Sequence, residues 1–107
     1  MLKKIQAIIR TSKFDEVRLA LHDIGVEYFA YYEVNGVTFQ NENKGSYRGT
    51  SIVNAAVVPR RVLEIVVPAI DADEVVEVIT KSASTGQVGD GKIYVSTIDK
   101  AIRISQT

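Results

Sequence analysis

The spacing of apolar side chains changes repeatedly along the chain, and each change marks an element. Leu2, Ile5, Ala7, Ile8 and Ile9 form a half-alternating run that predicts a first strand over Leu2 to Ile9. Ser12 is placed to cap a helix in which Phe14, Val17, Leu19, Leu21 and Ile24 recur at mixed spacings until Gly25 stops them. Val26 to Val37 is aromatic and β-branched, with Tyr28, Phe29, Tyr31, Tyr32 and Val34, and predicts a long second strand. From Thr38 to about Thr50 neither period survives and polar residues dominate, which predicts a long loop; in so small a domain such a loop is usually functional or disordered. Pro59-Arg60-Arg61 then leads into a third strand, Val62 to Val67, closed by Pro68. Asp71 and Glu74 have the spacing of a capping box, and Val75, Val76, Val78 and Ile79 mark a second helix that ends near Ser82 to Ser84. Ile93-Tyr94-Val95-Ser96 is a fourth strand, followed by a short apolar and basic tail, Ala101 to Ile104. The order βαββαβ predicts an α+β, ferredoxin-like single domain over residues 1–107, an antiparallel sheet with two helices on one face.

Composition narrows what such a domain does. Thirteen basic residues balance thirteen acidic ones, so nothing draws the chain to nucleic acid or to an anionic membrane, and any anion site must be local. Tyr28, Phe29, Tyr31 and Tyr32 could stack bases on an open sheet, but without a basic and aromatic pattern on the third strand they read better as core and interface packing. Cysteine is absent and His22 is the single histidine, which excludes disulfides, thiolate chemistry and a His-rich metal site. His22 is expected near the C-terminal end of the first helix, as a helix-end cation or a partly exposed residue. Asp15 and Glu16, like Asp71, Asp73 and Glu74, fall in first turns of helices, where the helix dipole explains them without acid–base catalysis. No apolar run approaches the ~20 residues of a membrane span and the start lacks a cleavage-type signal. The expectation is a cytoplasmic protein that meets a membrane only through a partner or through a segment fused to it.

Thr85 to Lys92 carries three of the seven glycines, one carboxylate and one lysine. Glycines let backbone amides converge on an anion, and a lysine adds charge for phosphate oxygens; the same residues also suit a tight turn. Gly86 to Lys92 even fits G-x-x-x-x-G-K, but Ile93 stands where a P-loop needs Ser or Thr for Mg²⁺, and Ile93-Tyr94-Val95 opens a strand rather than a helix. A Walker-type nucleoside triphosphatase is disfavoured.

Four segments, Lys3 to Arg10, Tyr47-Arg48-Gly49, Leu63 to Val67 and Thr85 to Val95, together resemble the PII signal-transduction family over nearly the whole chain. The resemblance implies a homotrimer of ferredoxin-like subunits that binds ATP or ADP, with AMP a further candidate, in clefts between subunits. It also implies a long T-loop between strands two and three that presents the bound state to partners. It makes Gly36, Thr38, Gln40, Glu64, Gly89, Asp90, Gly91, Lys92 and Arg103 nucleotide-site residues, with Glu64 able to pair with Lys92 and Arg103 reaching phosphates across the subunit boundary. Gln40 would also coordinate Mg²⁺ when 2-oxoglutarate binds, and Arg60 stands where a lysine usually meets the 2-oxoglutarate carboxylate. Tyr47 and Arg48 would touch a partner such as an ammonium transporter. The implied role is a non-catalytic regulator in nitrogen metabolism. A weak ATPase in the same cleft, a structural trimer with an empty cleft and a PII-like trimer with another small effector are the alternatives.

Departures from the family pattern matter as well. Ser105, Phe39 and Asn41 occupy places where basic residues are common. Charge-assisted contacts are worth ~1.5–3 kcal/mol each, so their loss should weaken a triphosphate more than ADP or AMP and dull any 2-oxoglutarate response. Ile52 stands where many relatives carry a uridylylated tyrosine, so that modification should be absent, although Thr50 or Ser51 could accept a phosphoryl group.

Overall fold

The computed structural model describes residues 1–42 and 52–105. Its elements are β1 (Leu2–Arg10), a 3-10 turn (Thr11–Lys13), α1 (Phe14–Asp23), β2 (Ala30–Glu42), β3 (Ile52–Pro68), a second 3-10 turn (Ala69–Asp71), α2 (Ala72–Ala83) and β4 (Gly91–Ile98). The strands form one antiparallel sheet in the order β2-β3-β1-β4. This is the expected ferredoxin-like α+β arrangement, with β3 and β1 at its centre.

Alternation on those central strands decides which face is dry. Ile5 pairs with Ile65 on one side and Val95 on the other, and Ala7 lies between Leu63 and Ile93. These residues point toward α1 and α2, which contribute Phe14, Val17, Leu21, Val75 and Ile79 to the same cluster. Ile5, Leu21, Leu63 and Ile79 are completely buried, and each such side chain contributes ~1.5–3 kcal/mol of burial free energy. The opposite face has no helix. There Tyr32 Oη donates to Glu64 Oε2 at 2.9 Å and Gln6 Nε2 donates to the same oxygen at 3.1 Å, while Val66 and Tyr94 remain half-exposed.

Both helix starts depart from expectation. Neither Ser12 nor Asp71 caps through its side chain, because each helix is fed by a 3-10 turn: the Phe14 amide donates to the Thr11 carbonyl and the Ala72 amide to the Ala69 carbonyl. Asp71 therefore has helical backbone angles (φ −95°, ψ −9°) instead of the extended ones that aim a capping side chain. At the other end of α1, Gly25 takes φ +88° and its amide donates to the His22 carbonyl. That turn, continued by Val26 N–H to the Leu21 carbonyl, delays β2 to Ala30, four residues past its expected start at Val26.

The largest correction concerns the long loop. β2 runs on through Thr38 to Glu42 and β3 begins at Ile52, so residues expected to be irregular pair in register, Thr38 with Ala56 and Phe39 with Ala55. From Ile52 to Pro59, before it reaches β1 at Arg60, β3 has β2 alone as a neighbour among the described residues. A two-stranded ribbon wet on both faces has no side to bury, so backbone pairing there leaves no hydrophobic period in the sequence. Pro59 also fits, since it sits where β3 is no longer central.

Candidate functional site

Register brings the glycine-rich turn to one end of the sheet. β4 starts at Gly91, opposite Ile9, so the turn between α2 and β4 lies beside Arg10 at the end of β1. Arg10 and Arg60 are themselves register partners on β1 and β3. Gly36 and Thr38 come from β2, opposite Val58 and Ala56. Ile8, Gly36, Val37, Thr38, Arg60, Gly89, Gly91, Lys92 and Tyr94 line one open cleft of about 530 Å³.

The glycines serve different ends. Gly91 has φ +126°, and a Cβ there would stand 1.8 Å from the Ile8 carbonyl oxygen, so no other residue fits the start of β4. Gly36 has ordinary strand geometry, and a Cβ would meet its nearest neighbour, the Val58 carbonyl oxygen, at 3.5 Å. Its bare backbone widens the cleft instead of permitting a turn.

Charges separate into used and unused. Asp90 accepts from the Thr85 amide at 2.8 Å, the Gly86 amide at 3.1 Å, the Thr85 hydroxyl and Arg10 Nε at 3.0 Å. The Thr85 hydroxyl and amide, then the Arg10 guanidinium, hold its carboxyl well below the usual carboxylate range. Arg10 Nη2 also donates to the Val88 carbonyl at 3.1 Å, and Arg60 Nη2 to the Gly89 carbonyl at 3.1 Å. The Lys92 side chain is exposed, and its ammonium has no hydrogen bond or ion pair among the described residues. The amides of Val88 and Gly89 likewise donate to no acceptor there. A free ammonium beside free amides and glycine backbone is chemistry for an anion with several oxygens.

Of the residues expected at a nucleotide site, Gly36, Thr38, Gly89, Gly91 and Lys92 therefore converge on the cleft, and Arg60 joins them. Asp90 supports the turn from behind. Within the protomer Glu64 sits outside this lining and pairs with Lys4 Nζ at 3.7 Å, not with Lys92. The Tyr32 hydroxyl, opposed in part by desolvation, lowers its pKa. The reason is position: Glu64 is opposite Gln6 on β1 and Lys92 is opposite Ile8, so two residues of strand separate them. Arg103 is exposed in the segment after β4 and contacts none of these groups. Gln40 has its backbone in β2 opposite Asn54, but its side chain, like all of Tyr47 and Arg48, lies outside the described residues. His22 is exposed on the last turn of α1, as expected. Sequence reasoning missed Arg10 and Thr85. The one available signal was register: placing Ile9 against Gly91 puts Arg10 next to Asp90.

Fold and cleft together define a ferredoxin-like α+β domain with a glycine-lined, cationic recess at one end of its sheet. The family model described as "Nitrogen regulatory protein P-II" matches residues 2–107. Similar curated proteins carry the same description: one from Haemophilus influenzae is 41% identical, across 96% of this chain and 91% of its own length. Another from Rhizobium etli is 44% identical with the same coverage, 96% and 91%. Among solved structures, that of B. subtilis GlnK superposes with a TM-score of 0.87 at 31% identity, covering 98% of this chain and 91% of that one. A second, the B. subtilis GlnK-ATP complex, gives 0.82 at 32% identity, covering 92% and 84%. The chain belongs to the P-II family of nitrogen regulatory proteins.

Proposed function

We propose that this protein is a non-catalytic, trimeric sensor of adenine nucleotides in nitrogen regulation. ATP, ADP or AMP would place phosphates over the Val88 and Gly89 amides and Lys92, and occupancy would reach a target through the β2–β3 arm. The observation that carries this reading is the convergence of Gly36, Thr38, Gly89, Gly91, Lys92 and Arg60 on one cleft, with the Lys92 ammonium unpaired among the described residues. The solved relative in complex with ATP has the same fold and supports adenylate as the ligand class.

Trimer formation is supported by the helix-free sheet face, where Val66 and Tyr94 are half-exposed and a neighbouring copy would cover them. A neighbour would also bring its own groups, Arg103 among them, to the open side of the cleft. Sensing requires that the nucleotide favour one arm conformation over another, because a ligand shifts an equilibrium only by its differential affinity. An ammonium transporter suits the arm as a target, met through Tyr47 and Arg48. Among the described residues no three His, Cys, Asp or Glu side chains gather to hold a metal. Mg²⁺ would thus take its ligands mainly from phosphates, with Gln40 and 2-oxoglutarate as further donors.

Calorimetric titration with ATP, ADP and AMP, each with and without Mg²⁺ and 2-oxoglutarate, tests the reading. Saturable binding that Lys92→Gln weakens by roughly ten- to hundredfold is expected, from a charge-assisted contact of ~1.5–3 kcal/mol. No heat with any adenylate, or a strictly monomeric protein in solution, overturns it. A phosphate-release assay on the nucleotide-bound protein then tests for turnover, and none is expected.

A further inference from the structure

Arg10 and Arg60 stand opposite each other on adjacent strands, so two guanidinium groups share one end of the sheet. Like charges at that spacing repel unless acceptors lie between them. The 84–90 turn supplies those acceptors: the Asp90 carboxylate and Val88 carbonyl for Arg10, and the Gly89 carbonyl for Arg60. Asp90 in turn gathers the Thr85 amide, Thr85 hydroxyl and Gly86 amide, closing the turn upon itself. A carboxylate engaged in this way has the wrong sign and too few free lone pairs to meet phosphate. The carbonyls of Val88 and Gly89 are drawn toward the arginines, and the amides of the same two residues have no acceptor among the described residues.

We propose that Arg10 is a positioning residue for the anion site: clasped to Asp90 and the Val88 carbonyl, it fixes the shape in which the 84–91 turn offers its amides and Lys92 to a phosphorylated ligand. This rests on the nucleotide reading above and adds a residue and a division of labour to it. Asp90 belongs to the clasp and not to the ligand contacts. The pair is three-quarters shielded, with side-chain exposures of 27% and 23%, so it is held more firmly than a surface ion pair. Its members lie 80 residues apart in the chain and are brought together by the β1–β4 register, Ile9 opposite Gly91.

The test is a double-mutant cycle on the full chain, read by calorimetry with ADP at a temperature where circular dichroism shows every variant folded. Arg10→Gln and Asp90→Asn should each weaken ADP by roughly tenfold, and the double variant should lose no more than either alone, because both act through one clasp. Arg10→Lys, which keeps the charge but loses the two-pronged fork, should recover part of the loss. Thr85→Ala, a milder change on the far side of Asp90, should fall between parent and Arg10→Gln. A merely structural ion pair would lower the melting temperature and leave affinity alone. Arg10→Gln binding ADP within roughly twofold of the parent, or losses that multiply in the double variant, would overturn the proposal. Should the parent bind no adenylate, the nucleotide reading fails first, and the same cycle with inorganic triphosphate then decides the clasp. Silence of the parent with both ligands overturns the clasp as well.

Discussion

Two stretches of the same sheet are built on different principles. From Arg60 to Glu64, β3 lies between β1 and β2, and from Leu63 to Val67 every second side chain is buried beneath the two helices. From Ile52 to Pro59 the same strand has only β2 beside it, and Val57 is 65% exposed opposite a Val37 that is 53% exposed. The first stretch is held by burial and register together. The second is held by its backbone ladder, which a two-stranded ribbon alone sustains only marginally in water. The cleft sits at the junction, with Arg60 marking the last position where β3 touches β1. A site at such a boundary has one rigid wall and, where the ribbon lacks the support of burial, one more compliant wall.

The sharpest way to break this contrast is at the rigid wall. Gly91→Ala would drive a methyl to 1.8 Å from the Ile8 carbonyl at a backbone φ of +126°. Relief requires opening the β1–β4 pairing, at a cost of about 4–5 kcal/mol. The melting temperature, read at fixed protein concentration, should fall by at least ~15 °C. A variant that melts within a few degrees of the parent would show this end of the sheet to be as pliant as the arm.

Next comes the core itself. Ile79 has no exposed surface and lies in the cluster formed with Ile5, Leu21 and Ile65. Ile79→Ala should cost about 2–4 kcal/mol by lost transfer energy and the cavity it leaves, measured by urea unfolding. A loss below about 1 kcal/mol would mean that the helices can collapse onto the gap.

The clasp lies between core and arm in effect, and its signature is pH. The pKa of Asp90 is lower in the folded protein than in the unfolded chain, so its contribution is present above the unfolded value near 4. That contribution is lost as pH falls below about 4 toward the depressed folded value. Wild type and Asp90→Asn should therefore differ most at neutral pH, and their melting temperatures should approach each other on acidification. A gap that stays constant down to about pH 3 would assign the stabilisation to groups other than this carboxylate.

What could be read in the sequence follows the same division. Ile5, Ala7, Leu63 and Ile65 announce strands because one face must be dry, and the helices announce themselves through Val17, Leu21, Val75 and Ile79 in the same way. Thr38 and its neighbours give no such sign, since ladder pairing without burial imposes no pattern, and a strand there has the sequence of a loop. Ser12 and Asp71 carry the spacing of caps without capping, because 3-10 turns satisfy the amides first. In the site, the run from Gly86 to Lys92 was visible locally. The bond from Arg10 to Asp90 was not, for it depends on register across the sheet.

The smallest effect should come from the arm, and it is the most discriminating. Val57→Ala removes two methyl groups from a side chain already 65% exposed, facing Val37 across the ribbon. Little burial is lost, so global stability should stay within about 0.5 kcal/mol of the parent. Cross-strand pairs of this kind contribute only ~0.2–1 kcal/mol, but in a ribbon with no other support that is a large share of local stability. Amide exchange should therefore quicken at Val37 and Phe39 while Ile65 and Leu63 keep their protection. If exchange instead rises equally in both stretches, β3 unfolds as one unit and the compliant wall does not exist. If it rises in the arm alone and ADP restores it, the cleft and the arm are coupled across Arg60.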